Sequence, residues 1–382
     1  MAAKHPPTCV GLDIGTSGIR AVEVRWSRRR KGYWIARAAS VDLPPEAIHN
    51  GEITDQKLVV KALKKLWRRG HFSSRKVVLG LSDSSILTRQ VDLPWMPRED
   101  FRAALRYQVA DVLPVDLTTV EVDYHPLAET HVVEPNGQNT DTSRILVVAA
   151  NTEAIEAEAK VLRKARLVPV RADSAAFALI RAACRGAVPE SNAAEAIIDM
   201  GADQLTVVIH QGGQPRFIRT ISNLGGDSAT ASIAERLNIT TLEAEELKRA
   251  TGLNGPAPIV APLAESSVFG TGTTPDTAPM DPRSATAVGV LNPWATTLIG
   301  EIRNSLDYFQ ATDASSSVDS LVVTGRTAEL DGMIERLSTQ LPMPVRMMDT
   351  LAGLTASRRV NRNPVPDTRL VVAAGLAMAA AS

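Results

Sequence analysis

Residues 11–24 read GLDIGTSGIRAVEV. An apolar run delivers Asp13 to a strand end, four residues without bulk follow (Gly15, Thr16, Ser17 and Gly18), and an alternating strand leads away. The pattern predicts a β-hairpin with a tight turn. Small residues at such a turn let something approach the backbone closely. The order continues as turn and strand in SRRRKG (27–32) and YWIARAASVDLP (33–44). It returns at Asp199 in EAIIDMGADQLTVVIH (195–210), QGGQP (211–215) and RFIRTISNLGG (216–226). Asp13 and Asp199 are 186 positions apart, about half the chain, so two related lobes facing each other are expected rather than a solenoid.

The chain has 382 residues, more than one simple core accommodates. Its 42 basic and 42 acidic residues cancel, so no global charge argues for nucleic acid. Two cysteines, Cys9 and Cys184, and six scattered histidines show no ligand spacing, which argues against a Cys- or His-held metal. The opening MAAKHPPTCV lacks the apolar core of a signal peptide. The longest apolar run, LVVAAGLAMAAA (370–381), is too short to span a bilayer. A cytoplasmic protein with reduced thiols is the expectation.

Helices can be placed on this frame. REDFRAALRYQVADV (98–112) puts Phe101, Leu105, Val109 and Val112 on one stripe, and NTEAIEAEAKVLRKA (151–165) follows an Asn151 cap. Thr240 and Glu243 have capping-box spacing, with Gly252 as a stop. Asn292 and Pro293 read as cap and first-turn residue of a helix whose apolar face is Leu298, Ile302, Leu306 and Phe309. SLVVTG (320–325) reads as a buried strand, followed by a helix with Leu330, Met333, Ile334 and Leu337 on one side. Residues 253–293 carry seven prolines and one basic residue, Arg283, and read as a long loop inside the second lobe.

Backbone N–H groups at Gly-rich turns bind phosphates. Gly15, Thr16, Ser17 and Gly18 supply one such turn, Gly201 and Ala202 a second, and two turns across a cleft would hold a triphosphate from both sides. Asp13 and Asp199 would then hold hydrated Mg²⁺, which favours carboxylates and retained waters. Asp199 is assigned the further task of orienting an attacking water, and Arg20 would add charge at the β/γ phosphates. A lone Asp-x-Gly is most often only a strand-end turn. Two copies in matched hairpins, with a third Gly-ended strand at VVTG (322–325), carry more weight. No GxxxxGK[ST] occurs, and Gly11, Gly15 and Gly18 miss the GxGxxG spacing.

These motifs resemble the actin-like ATPase superfamily, and within it the PilM family of type IV pilus assembly. The blocks that carry the resemblance are residues 11–24, LPWMPREDFRAALRYQVADVLPVD (93–116), IRTISNLGGDSATASIAERL (218–237), EAEELK (243–248), EIRNSLDYF (301–309) and AAGLAMA (373–379). The resemblance covers nearly the whole chain except the Pro-rich stretch, and 93–116 is the block specific to PilM. It implies an α/β, two-lobed actin-like ATPase fold of duplicated ribonuclease-H-like domains with a small inserted α+β subdomain. The first lobe would span 8–90, the insertion 91–170, a return to the first lobe 171–195, the second lobe 196–350 and a final return 351–382.

The resemblance further implies ATP with Mg²⁺ as cofactors, Asp13 near the metal, phosphate contacts at 15–18, and a second phosphate turn at Asp199 and Gly201. Gly225 and Gly226 would lie on the nucleoside side, Glu245 and Lys248 would border adenosine, and Gly325 would form the adenosine-binding turn. The chain departs from the family at Arg326, where a second glycine is usual, so an arginine would crowd the purine or stack on it. Arg20 likewise stands for a usual lysine. The implied function is a cytoplasmic, ATP-binding protein at the cytoplasmic face of the inner membrane. It would build a pilus platform by binding the cytoplasmic N-terminal tail of a PilN-like membrane protein, with slow hydrolysis at most. Self-association is left open.

Three other readings stand beside this one: an FtsA-like division protein, a small-molecule kinase of the superfamily, and a scaffold that has lost nucleotide binding. FtsA shares the insertion but ends in an amphipathic membrane helix, whereas residues 361–382 show no basic amphipathic stripe. A kinase would need a general base for an acceptor, and no separate acidic motif supplies one. The basic stretches RWSRRRKGYW (25–34) and KLVVKALKKLWRRG (57–70) read first as a solvated hairpin tip and as a core-packed helix with a basic outside. Contact with anionic headgroups is the lesser alternative.

Overall fold

The computed structural model describes residues 9–27, 32–49, 51–81, 86–133, 139–184, 193–255, 280–312, 317–348, 355–357, 360 and 367–381. Strands β1 (Val10–Gly15), β2 (Gly18–Ser27) and β3 (Gly32–Asp42) form an antiparallel meander. The short pair β4 (Ile48–His49) and β5 (Glu52–Ile53), helix α1 (Gln56–Gly70) and strand β6 (Lys76–Leu81) follow. Asp55 caps α1 by accepting from the N–H groups of Lys57 and Leu58, and the apolar face Val59, Ala62, Leu63 and Leu66 is buried against the sheet.

Next come β7 (Ile86–Pro94), α2 (Arg98–Gln108), β8 (Val120–Val133) and β9 (Asn139–Asn151), then α3 (Thr152–Lys164), β10 (Val168–Ser174) and α4 (Ala175–Ala183). The second half holds β11 (Ala194–Met200), β12 (Gln204–Gln211), β13 (Gln214–Ser222), α5 (Gly226–Leu237), α6 (Thr241–Thr251), α7 (Pro282–Thr312), β14 (Val318–Thr324), α8 (Met333–Gln340) and β15 (Val345–Met347). Strand β16 (Thr355–Ala356) and helix α9 (Val371–Ala381) close the chain.

The duplication is plain in the strand orders. The first sheet runs β10-β6-β1-β2-β3-β16 and the second β15-β14-β11-β12-β13. In both, an antiparallel meander is flanked by a strand parallel to its first member. Helices α4 and α9 fill the space between the sheets, burying Leu179, Ile180 and Leu376 with Val78 of one sheet and Ile197, Val208 and Val322 of the other.

The stretch expected as an insertion, 91–170, divides between two layers. Strands β7, β9 and β8 form a sheet of their own that buries Phe101, Leu105 and Val109 of the α2 segment. Helix α3, capped by Asn151 Oδ1 at 3.0 Å from Ala154 N, instead packs Val161 and Leu162 into the first lobe, and β10 pairs with β6.

Two helix starts are corrected. No helix begins at Asn292, since α7 is already helical from Pro282 and carries Pro293 inside it. Asp281 accepts from the N–H groups of Arg283 and Ser284, and Pro282 supplies a favourable first turn. The apolar stripe extends back through Ala287, Val290 and Leu291 into the core. Burying those side chains outweighs the ~3 kcal/mol that an interior proline costs. The expected loop at 253–293 therefore loses its last third to this helix, and residues 256–279 lie outside the described residues. Likewise the helix after β14 starts only at Met333, following a 3-10 turn over Arg326–Glu329. The capping box of Thr240 and Glu243 forms as expected.

Candidate functional site

Asp13 lies near the end of β1, and the β1–β2 register pairs it with Arg20 and Gly15 with Gly18, leaving Thr16 and Ser17 as a two-residue turn. Asp199 occupies the matching place on β11, one residue from its end. The strands bring the two ends together. Asp13, Gly15, Thr16, Ser17, Arg20, Asp199, Gly201, Gly325 and Arg326 all line one cavity of about 110 Å³ between the lobes. Gly226, Glu245, Lys248 and Arg326 line a second cavity of about 170 Å³ beside it. Gly18 and Gly225 line neither. A Cβ at Gly18 would stand 2.8 Å from the Val41 carbonyl oxygen, so that glycine is small because β3 passes against it, not because a ligand does.

The first turn is closed on itself. The Arg20 guanidinium donates to Ser17 Oγ at 2.9 Å, to the Gly18 carbonyl at 3.3 Å and to Asp13 Oδ2 at 3.4 Å. Burial pushes the Asp13 carboxyl above its ordinary range, and the Arg20 charge offsets only part of that. A divalent cation would supply the missing counter-charge. Two carboxylates with room for waters suit Mg²⁺ better than an all-protein cage, and among the described residues no group of three or more His, Cys, Asp or Glu side chains forms one. Gly325, at φ 91°, sits where a Cβ would come 2.6 Å from Asp199 Oδ1. Only glycine lets β14 turn there without displacing that carboxylate.

The second cavity is walled by a charge network. Glu245 pairs with Lys248 at 2.6 Å and Arg249 at 2.8 Å, accepts from Thr230 Oγ1 at 2.7 Å, and has Arg326 at 3.5 Å. Burial raises the Glu245 carboxyl, but the Lys248 charge and these hydrogen bonds outweigh it and hold it below its usual range. Lys248, itself buried, also donates to the Gly226 carbonyl at 2.8 Å. Arg326 borders both cavities, and its buried Nε has no hydrogen-bond partner. Each cavity is smaller than the roughly 300 Å³ at which small-molecule pockets begin. A nucleotide would enter only with movement of Arg20, Arg326 or the lobes.

Sequence reasoning missed two features of the cleft and one buried acid near it. Glu329 receives the Arg369 guanidinium and the Thr368 hydroxyl, and the Thr368 carbonyl accepts from Gly325 N and Thr324 Oγ1, so the segment before α9 is tied to the turn after β14. Asp203, close behind Asp199, also lines the first cavity. Glu158 on α3 is buried, and its carboxyl is pushed up to about 8 by burial and by the charge of Asp13. It was legible: Glu158 falls between Ile155 and Leu162 on the inward stripe of its own helix.

Comparison with known proteins decides the family. The model of the type IV pilus assembly protein PilM family matches residues 11–266 and 282–381. The chain belongs to this family. Among solved structures, the "PilM-PilN type IV pilus biogenesis complex" superposes with a TM-score of 0.77 at 23% identity, covering 98% of this chain and 99% of that one. The ethanolamine utilization protein EutJ from Carboxydothermus hydrogenoformans gives 0.52 at 15%, covering 98% and 90%. MreB 5 of Spiroplasma citri bound to AMPPNP gives 0.50 at 13%, covering 96% and 93%. These likenesses establish the actin-like ATPase fold. The cell division protein FtsA of Bacillus subtilis is 25% identical over 271 residues, 64% of this chain and 58% of its own length. The chain thus spans little more than half of that relative. No helix among the described residues is long and apolar enough to cross a membrane.

Proposed function

We propose that this PilM-family chain binds Mg-ATP in the interlobe cleft and uses it to set the lobe angle, and hence its affinity for the cytoplasmic N-terminal tail of a PilN-like inner-membrane protein. The observation that carries this reading is the meeting of both Asp-x-Gly strand ends in one cavity. The 15–17 and 201 turns would hold the phosphates, Asp13 and Asp199 the hydrated Mg²⁺, and Asp199 would orient the water in a slow hydrolysis. The bound metal would neutralise phosphate charge. Arg20 would leave Ser17 and Asp13 for the phosphates, and Arg326 would leave Glu245 to admit the base. Nucleotide thereby shifts a population of lobe angles.

For the partner tail, support comes from a groove of about 670 Å³ between the inserted sheet, the first lobe and the β12–β13 turn of the second lobe, with Tyr124, His125, Arg171, Phe177, Ile180 and Arg181 among its walls. Its floor includes β10, an edge strand of the first sheet, whose open backbone groups suit an extended peptide. The solved relative named for a PilM–PilN complex spans the same length of chain, which favours this partner over a division role. Capture from solubilised membranes is expected to return a single-pass protein with a short cytoplasmic tail. Recovery of FtsZ in its place would move the reading to cell division.

Two substitutions test the cleft. Asp13→Ala is expected to weaken Mg-ATP binding roughly 10–100-fold with the circular dichroism spectrum unchanged. Unaltered affinity would remove the metal from Asp13. Arg326→Gly joins the two cavities and removes an ion pair that must open, so Mg-ATP should bind about fivefold more tightly, an effect of ~1 kcal/mol. Weaker binding in this variant would mean that the arginine stacks on the base instead of crowding it.

A further inference from the structure

The parallel strands β1, β6 and β10 begin at one edge of the first sheet, the edge opposite their cleft-facing ends, and β2 ends and β3 begins there. Helices α1 and α3 run down to that same edge, because each feeds the start of the next strand. The topology therefore gathers Arg68 and Arg69 from the last turn of α1, Arg75 and Lys76 at the start of β6, and Arg166 just after α3, while Lys164 turns away to Gln56 at the other end of α1. The five cations of this edge, Arg68, Arg69, Arg75, Lys76 and Arg166, are exposed. Direct contacts join the pieces: Arg75 donates to the Arg166 carbonyl at 3.2 Å, Val168 N donates to the Arg75 carbonyl at 2.8 Å, and Arg25 reaches Ser73 Oγ at 3.0 Å.

The acids at this edge do not cancel the patch. Glu23 is buried and already met by Arg25 and Arg37, and Glu156 pairs with Arg163, which is not counted above. Two basic residues in a last turn would be expected from the helix dipole alone. Arg75, Lys76 and Arg166 lie outside any helix and need another reason. Beside them stand exposed apolar groups: Trp26, 46% exposed and stacked edge-on against Tyr33, and Val168, 52% exposed.

We propose that this edge is a docking surface for an anionic lipid bilayer, contacting headgroups through these five cations while Trp26 enters the interface. Basic clusters gain from anionic headgroups residue by residue, and tryptophan favours the membrane–water boundary. Nucleic acid fits less well, since the indole has no base-reading neighbours and the net charge is zero. The surface presents the opposite end of the sheet, the nucleotide cleft, away from the bilayer. This contact is separate from any through a partner tail.

The test is co-sedimentation of the purified full chain with vesicles of phosphatidylcholine, with and without phosphatidylglycerol, in the absence of any membrane protein. The expected result is binding only to the anionic vesicles, lost as salt rises. The triple variant Arg68→Gln, Arg69→Gln, Arg75→Gln should bind about 100-fold more weakly at an unchanged melting temperature. Trp26→Phe, also folded, should abolish the blue shift of tryptophan emission seen on binding. Failure of the wild-type chain to bind anionic vesicles at low salt, equal binding to both vesicle types, or preference for duplex DNA would overturn the proposal. None of these outcomes bears on capture of a PilN-like tail.

Discussion

Glu23→Ala is expected to destabilise the chain by about 3 kcal/mol, the effect of stripping Ser73 and two partly exposed guanidinium groups of their common buried acceptor. Glu23 is fully buried on β2, and its carboxylate collects Arg25 at 2.7 Å, Arg37 at 2.9 Å, and both the N–H and the hydroxyl of Ser73, at 2.8 and 2.7 Å. One side chain thereby ties two strands of the first sheet to the segment after α1. Burial alone raises its carboxyl, but the Ser73 bonds and the two guanidinium groups outweigh it and hold it below 4.5. Its stabilising contribution is therefore complete above that value and lost as pH falls through the depressed folded value. Urea titrations at neutral pH check the first statement. A loss under about 1 kcal/mol would mean the arginines find water instead.

The second large effect has the opposite sign. Glu158 is raised from 4.5 to about 8, so between those values the folded chain holds a proton that the unfolded chain has released. Stability then falls as pH rises through this window, by about 5 kcal/mol in all, and levels off above it. Glu158→Gln keeps the shape and removes the ionisation. Its stability relative to wild type should climb steadily from pH 5 to pH 8, ending well above it. Parallel pH profiles for the two proteins would show that Glu158 ionises freely in the folded state.

The repeat around Asp13 and Asp199 was legible because a strand, a small-residue turn and a return strand leave a period-two pattern that any lobe of this kind must carry. The meeting of both aspartates in one cavity follows from that duplication. What the pattern hid were long-range compensations. Pro293 signals a helix start locally, yet α7 runs through it because core contacts up to Ala287 outweigh the proline. Gly18 marks a ligand turn by composition, but its backbone is met by β3. Arg326 was visible as a departure, whereas its bond to Glu245 and the division of the cleft into two cavities needed the packing of α6 against the 325–329 turn. Of the basic edge, Arg68 and Arg69 were visible in the 57–70 run, whereas Arg166, about a hundred positions on, joins Arg75 only through the pairing of β10 with β6.

The central claim is that the cleft is a working nucleotide site and not inherited architecture closed by its own arginines. Calorimetric titration of Mg-ATP into the purified chain, repeated with excess EDTA, tests it most directly. The account predicts saturable binding of one nucleotide per chain that the chelator abolishes, with phosphate released slowly if at all. No heat of binding in either titration would contradict it and leave the protein a scaffold, with Arg20 and Arg326 as permanent occupants of the cleft.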